Sequence, residues 1–408
     1  MSTPTRIALV VPSLSEGGGV PAVACFIKDT ILRSGRYDLK LVSLATSAED
    51  PESVRIATPS SWLRGARTTT GEWEGLPFVH VGAVGGEFEF QRYRSRRALA
   101  EMLADCDLIQ VVSGSPAWAN AVLGLGKPVA MHVATRARVE RRLRDANPRG
   151  LLPWWRKFMT EVTDRMDDRA LRRVDAIQVM NPLMLEYSRE LNVGREVDLR
   201  YAPPGVDADL FHPLDRREQL QDRYILCVAR LSDPRKNVGV LLEAYAQLPA
   251  SVRDEVRLVL AGSSGPPQAF WRRAESLGLR ERVSYIERPD RDALVRLYQE
   301  ASVFALPSDE EGFGVVLLEA MACGVPVVST RSGGPDGIIS DDDDGYLVPL
   351  DDAATMASRL GILLQNPAHG IEMGRKARQT IERRYDERVA GEAFMDMWDR
   401  MAHKAGIA

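Results

Sequence analysis

The stretch VFALPSDEEGFGVVLLEAMACGVPVVSTRSGG, Val303 to Gly334, decides how the whole chain is read. It opens on a short apolar run of strand length, VFALP, and crosses a polar, glycine-bearing turn, SDEEGFG. It continues at helical spacing through VVLLEAMAC and ends on a second apolar run, PVVST. Parallel strands need a crossover connection between them, and a helix of this length supplies one. Strands that are apolar throughout, rather than alternately, are those of a sheet covered on both faces.

The same alternation extends in both directions. RIALVVP from Arg6, LKLVSL from Leu39, LIQVV from Leu108, PVAMHV from Pro128 and AIQVM from Ala176 are strand-like. YILCVA from Tyr224, VRLVLAG from Val256 and VSYI from Val283 repeat the pattern later. Helical spacing fills the intervals, as in SRRALAEMLADC, Ser95 to Cys106. The pattern pauses at YAPPGVDADLFHPLD, Tyr201 to Asp215, whose prolines, glycine and aspartates mark a loop at mid-chain. Two similar α/β domains in series are expected: residues 1–202, residues 203–380, and a helical segment over residues 381–408 with Met, Phe and Trp recurring on one side.

Composition narrows the function classes. The 408 residues carry 53 Lys+Arg against 57 Asp+Glu, and 45% are hydrophobic, as in an ordinary globular protein. A net charge of -4 does not favour nucleic acid as a partner. No apolar run is long enough to span a bilayer, and the polar start Met1 to Arg6 has no secretory pattern. Cys25, Cys106, Cys227 and Cys323 are scattered singly, which reads as reduced thiols in a cytoplasmic protein, and the five histidines show no metal-ligand spacing. Charge is uneven: residues 1–202 carry +4 and the remainder -8, and Val133 to Arg173 alone holds 12 basic and 6 acidic residues.

Three stretches could carry chemistry. Glu16-Gly17-Gly18-Gly19 follows the first strand and precedes a helix, where glycines let backbone approach a ligand and the helix N-terminus attracts an anion. A tight turn without a ligand accounts for it equally, and the spacing is not that of a dinucleotide fingerprint. In CVARLSDPRKN, Arg230 leaves a strand and Lys236 stands just before a helix, an arrangement suited to a diphosphate; Arg235 could replace either. In SDEEGFG, Glu311 lies just before a helix N-terminus and Glu319 about two turns in, with the amides of Gly314 to Val316 beside them. Carboxylates next to amide donors suit a polyhydroxylated, phosphorylated ligand.

Five stretches together resemble the family 4 glycosyltransferases, retaining enzymes of GT-B fold: EGGG, PPGVDADLF, ARLSDPRKN, EEGFGVVLLEAMACG and GGPDGIISDDDDGYLVP, in that order from Glu16 to Pro349. The resemblance thins between Ala45 and Leu125. It implies two Rossmann-like domains with parallel sheets facing a central cleft, and a C-terminal helix that crosses back to the first domain. It implies an acceptor-binding first domain and a donor-binding second one. Arg230 and Lys236 would hold the donor diphosphate, with Gly18 and Gly19 closing over it. Glu311 would contact the donor sugar, the backbone of Gly312, Phe313, Gly314, Val315 and Val316 the sugar and phosphate, and Glu319 the ribose. His132, at the end of the PVAMHV strand, matches a histidine that contacts the donor sugar. Many members place the lysine five residues after the arginine, where this chain has Arg235, so the assignment of cations to phosphates stays open.

The implied activity moves a sugar from a nucleoside diphosphate sugar, UDP being the commonest nucleotide, to an acceptor hydroxyl with retention of configuration. No cofactor or metal is expected, because fixed cations and a helix N-terminus can stabilise the leaving diphosphate. Asp341 to Asp344 reads as a solvated turn. A sugar phosphorylase or nucleotide-sugar epimerase of similar two-domain fold is the alternative. Trp154 and Trp155, followed by Arg156 and Lys157 inside the basic segment 136–173, could meet an anionic membrane surface, line an acceptor site, or pack inward.

Overall fold

The computed structural model describes residues 4–14, 19–94, 97–142, 151–214 and 222–407, with the side chains of 151–153 excepted. Ser15 to Gly18, and so the Gly18 assignment, lie outside the described residues. So do Ser95 and residues 143–150 of the basic segment. The chain forms two units: one from Met1–Pro204 with Ala390–Ala408, the other from Gly205–Val389.

The first unit holds an eight-stranded sheet. Its strands are β1 (Thr5–Pro12), β2 (Tyr37–Leu44), β3 (Thr68–Trp73), β4 (Leu76–Val81), β5 (Leu108–Ser113), β6 (Val129–Val133), β7 (Ala176–Val179) and β8 (Asp198–Tyr201). They lie in the order β3-β4-β2-β1-β5-β6-β7-β8. All neighbours are parallel except β3 and β4, an antiparallel hairpin at the edge. The central β1 pairs with β2 and β5, and Ile7 to Val11 have no exposed surface, which is why this strand reads as one apolar run. Three helices of this unit matter below: α1 (Gly19–Ser34), α2 (Pro59–Arg64) and α3 (Leu151–Leu171).

The second unit has a six-stranded, all-parallel sheet: β9 (Arg223–Arg230), β10 (Val256–Ser264), β11 (Val283–Glu287), β12 (Val303–Leu306), β13 (Val327–Thr330) and β14 (Tyr346–Val348), in the order β11-β10-β9-β12-β13-β14. Its helices α4 (Val238–Gln247) and α5 (Val315–Ala322) follow β9 and β12, so both begin near the carboxyl ends of neighbouring strands. Ligands of doubly wound sheets bind at such ends.

The last helix, α6 (Glu387–Lys404), belongs to the first unit from Ala390 onward. Its Met, Phe and Trp face is buried. Phe394 and Trp398 are closed off from solvent, Phe394 meets Phe26 edge to face at 5.4 Å, and the Trp398 indole N–H donates to Gln110 Oε1 at 2.8 Å. Gly391 lets the helix sit against α1, since a Cβ there would come within 3.0 Å of Thr30. No helix among the described residues is long and apolar enough to cross a membrane.

Replacing Trp398 by Ala would remove a fully buried ring and leave the Gln110 side chain without its donor. We expect this to destabilise the first unit by about 3–5 kcal/mol. Urea unfolding followed by circular dichroism should then show the first unit's transition moved well below its wild-type midpoint, and an unmoved transition would contradict the role given to α6.

Candidate active site

The site in the second unit starts where β9 ends. Arg230 points outward, half exposed, 3.6 Å from Asp233. Asp233 caps a short 3-10 turn, Pro234–Lys236, by accepting from the Arg235 N–H, and its carboxylate also pairs with the Arg235 guanidinium at 2.8 Å. Asn237 then takes up the left-handed conformation, φ +40°, before α4 begins. Asparagine tolerates this backbone better than most residues. The turn that results separates the two adjacent cations. Arg235 folds back onto Asp233, while Lys236 extends to Glu311, with Nζ 2.6 Å from Oε2 and both side chains about five-sixths buried. Among these cations Lys236 is the one that meets Glu311.

Asn237 does more than turn the chain. Its amide donates to Asp309 Oδ1 and to Asp351 Oδ1, each at 2.7 Å, and the Asp309 N–H donates to the Arg235 carbonyl at 2.8 Å. The turn carrying Lys236 is thereby tied to the segment carrying Glu311. Reading the sequence missed Asn237, Asp309 and Asp351. An Asn directly after the lysine and directly before a helix was the signal available for the first of them.

Glu311 is fixed from its backbone. Its N–H donates to the Ser332 carbonyl at 3.0 Å, and its carbonyl accepts from Gly334 at 2.8 Å. Ser308 Oγ approaches the same Oε2 at 3.3 Å. A Cβ on Gly334 would fall 2.3 Å from the Phe313 carbonyl oxygen, so only glycine permits this approach. Gly314, at φ +102°, caps α5, so that position is demanded by the backbone as well as by any ligand. Phe313 is buried, and Val315 and Val316, half-buried, open the helix and bring its first amides next to Gly312 and Glu311. Glu319 lies one turn further, where the Tyr298 hydroxyl donates to it at 2.6 Å. Burial pushes its carboxyl up to about 7, against the opposing pull of Tyr298.

The remaining assigned residues lie in the first unit. Gly19 is the exposed first residue of α1 and has open space where a Cβ would stand. His132 is on β6 and has no exposed surface. Its Nε2 is 2.9 Å from the Ala202 carbonyl, which can only accept, so Nε2 carries the proton. Burial lowers its pKa to about 4, and its Nδ1 has no partner among the described residues. His132 is therefore a neutral imidazole with a free lone pair at the carboxyl end of its strand. In the Asp341–Asp344 run every carboxylate is engaged by the protein: Asp341 with Arg331, Asp342 with Arg359, Asp343 with Lys376, and Asp344 with Thr380 and the Ser340 N–H.

Residues 213–380 match the family described as glycosyl transferases group 1. The chain is 34% identical over 224 residues to a GDP-mannose-dependent α-(1-6)-phosphatidylinositol monomannoside mannosyltransferase of Mycolicibacterium smegmatis. That match covers 50% of this chain and 58% of the relative. At such identity the chain spans about half the length of the curated relatives it matches. A D-inositol 3-phosphate glycosyltransferase of Corynebacterium glutamicum is 27% identical over 392 residues, covering 90% of this chain and 88% of the relative. Among solved structures, sucrose-phosphate synthase of Thermosynechococcus elongatus superposes with a TM-score of 0.74 at 19% identity, over 98% of this chain and 100% of that one. Two parallel-sheet units, the Lys236–Glu311 site and these likenesses define the class. Residues 213–380 belong to the glycosyl transferases group 1, and the chain as a whole has the GT-B fold of the solved structure it matches.

The raised value of Glu319 has a consequence for stability. Because the folded state holds this carboxyl above its ordinary 4.5, its contribution is fully present below about pH 4.5 and is lost as pH rises through 7. The loss is on the order of 3 kcal/mol at full ionisation. Glu319→Gln should abolish this component. Melting curves at pH 5.5 and 8 should show the wild type losing more stability between the two than the variant, and parallel losses would refute the assignment.

Proposed function

We propose that the protein transfers a sugar from a nucleoside diphosphate sugar to an acceptor hydroxyl, with retention and without a metal ion. The observation that carries this reading is the Lys236–Glu311 pair at the mouth of α5. As the sugar–phosphate bond breaks, negative charge gathers on the diphosphate and positive character on the sugar. Arg230, Lys236 and the first amides of α5 are fixed donors suited to the first, and they need no reorganisation when the charge develops. Glu311 is an acceptor suited to the sugar hydroxyls, and Glu319 to the ribose hydroxyls. When a donor enters, Lys236 can pass from the carboxylate to a phosphate while sugar hydroxyls take its place on Glu311, so neither charge is left buried and unpaired.

Retention follows if the acceptor hydroxyl attacks from the face the phosphate leaves and a phosphate oxygen takes its proton, since neither Glu311 nor His132 is then required as a nucleophile. His132, neutral, has an Nδ1 lone pair to offer a donor sugar hydroxyl. UDP is the nucleotide expected of such enzymes, and GDP enters through the GDP-mannose dependence named for the M. smegmatis relative. The inositol named in both curated relatives makes a cyclitol or cyclitol-bearing lipid the acceptor class to try first.

Calorimetry with UDP, GDP, TDP and ADP in EDTA tests the donor site: one of the four should bind tightly without metal. Failure of all four would remove Arg230 and Lys236 from the assignment, and activity lost in EDTA and restored by Mn2+ or Mg2+ would overturn metal independence. Glu311→Gln should lower turnover by roughly 10- to 100-fold, the scale of a lost hydrogen bond to a charged group. Nucleotide affinity should stay level or rise, because Lys236 is released from its partner. Unchanged turnover would take Glu311 out of the mechanism.

A further inference from the structure

The exposed apolar side chains are not spread evenly. Every exposed Phe and Trp among the described residues lies in two neighbouring parts of the first unit: Trp62 in α2 and Phe88 after β4, and Trp154, Trp155 and Phe158 at the start of α3. Trp62, Trp154 and Phe158 are each more than half exposed.

These parts are joined. Glu87 accepts from the Ile56 N–H at 2.7 Å, which holds the segment leading to α2 against the one leading to Phe88. The Trp62 indole N–H donates to the Arg55 carbonyl. The Phe88 ring meets Trp155 at 6.5 Å, and Trp155 meets Phe158 at 5.8 Å. Leu63, Ile56, Val84 and Val139 add exposed aliphatic surface along the same segments. A run of large rings left in water marks an interaction surface, because a free monomer gains nothing by exposing them.

The charge around the rings says what kind of surface it fits. Arg64, Arg67, Arg142, Arg156 and Lys157 are all exposed, and none forms an ion pair with an acidic side chain among the described residues. Elsewhere in the same unit Arg36 is paired with Asp399, while Arg169, Arg172, Arg173 and Arg189 are exposed without an ion pair among the described residues. What marks the ring-bearing segments is that five uncompensated cations lie on the same stretches as the exposed rings. Indole rings prefer the boundary between headgroups and acyl chains, and cations beside them attract anionic headgroups.

We propose that this face of the first unit, Trp62, Phe88, Trp154, Trp155 and Phe158 with the cations around them, docks on an anionic lipid bilayer. The rings enter the interface, and Arg156 and Lys157 reach the headgroup phosphates. The proposal does not depend on the donor site, so the two can fail separately.

Co-sedimentation of the full chain with phosphatidylcholine vesicles, and with vesicles containing about a quarter phosphatidylglycerol, tests it. Binding should be strong only to the anionic vesicles and should weaken with salt. Arg156→Gln/Lys157→Gln should lower the partition coefficient roughly fivefold for each cation removed. Trp154→Ala/Trp155→Ala should lower it by roughly tenfold or more. Both pairs are exposed and outside the donor site, so melting temperature and nucleotide-sugar binding should match the wild type. That match keeps a loss of vesicle binding from being mistaken for misfolding. Equal binding to neutral and anionic vesicles would overturn the proposal, as would binding to neither, or charge and tryptophan variants that partition like the wild type. Self-association without vesicles that the same variants abolish would assign the face to a second copy of the chain instead.

Discussion

A lysine ammonium 2.6 Å from a glutamate carboxylate, both largely removed from water, is the interaction on which the second unit's site depends. Taking two charges out of solvent is costly, and their attraction offsets that cost only where the geometry is held. Here it is held from three directions. Backbone pairing with Ser332 and Gly334 fixes Glu311, the Asp233-capped turn aims Lys236, and the Asn237 amide ties the two segments through Asp309 and Asp351. Such a pair adds little to stability, but it keeps a cation and a carboxylate poised side by side, each able to exchange its partner for a ligand of opposite demand.

That constraint explains which parts of the site could be read in the sequence. The residue types were legible because a motif places Glu311, Glu319, Arg230 and Lys236 at fixed offsets along strands and helices. The choice between Arg235 and Lys236 was not, because it turns on one 3-10 turn and on the left-handed backbone of Asn237, which send adjacent side chains in opposite directions. Tyr298 was also invisible. It lies on a different helix, 21 residues before Glu319, and nothing in the spacing brings its hydroxyl to that carboxylate.

The fold was legible wherever burial is two-sided. Every strand flanked by neighbours and covered on both faces reads as an apolar run, from RIALVVP to PVVST. The elements missed lie at or next to the edges of the first unit's sheet. β3, TTTGEW, is mostly exposed, and the paired β4 is only partly buried. β8, DLRY, is half-buried and keeps Asp198 and Arg200 in ion pairs. Polar sequence at an edge is what prevents further pairing, so the same property that protects these strands hides them from a hydrophobic pattern.

The glycines show how one sequence signal can have two physical causes. Glycine-rich turns after a strand suggest backbone approach to an anion, and SDEEGFG with the glycines of RSGG beyond it has that look. Yet Gly334 is glycine because the Phe313 carbonyl occupies the place of its Cβ, and Gly314 because the helix begins from a left-handed residue. Both needs arise within the protein. The same glycines set the backbone of the candidate site, since the close approach at Gly334 accompanies the pairing of the Glu311 segment with Ser332 and Gly334 at the end of β13. A substitution at either glycine would therefore disturb the geometry of the Lys236–Glu311 pair before any ligand arrived.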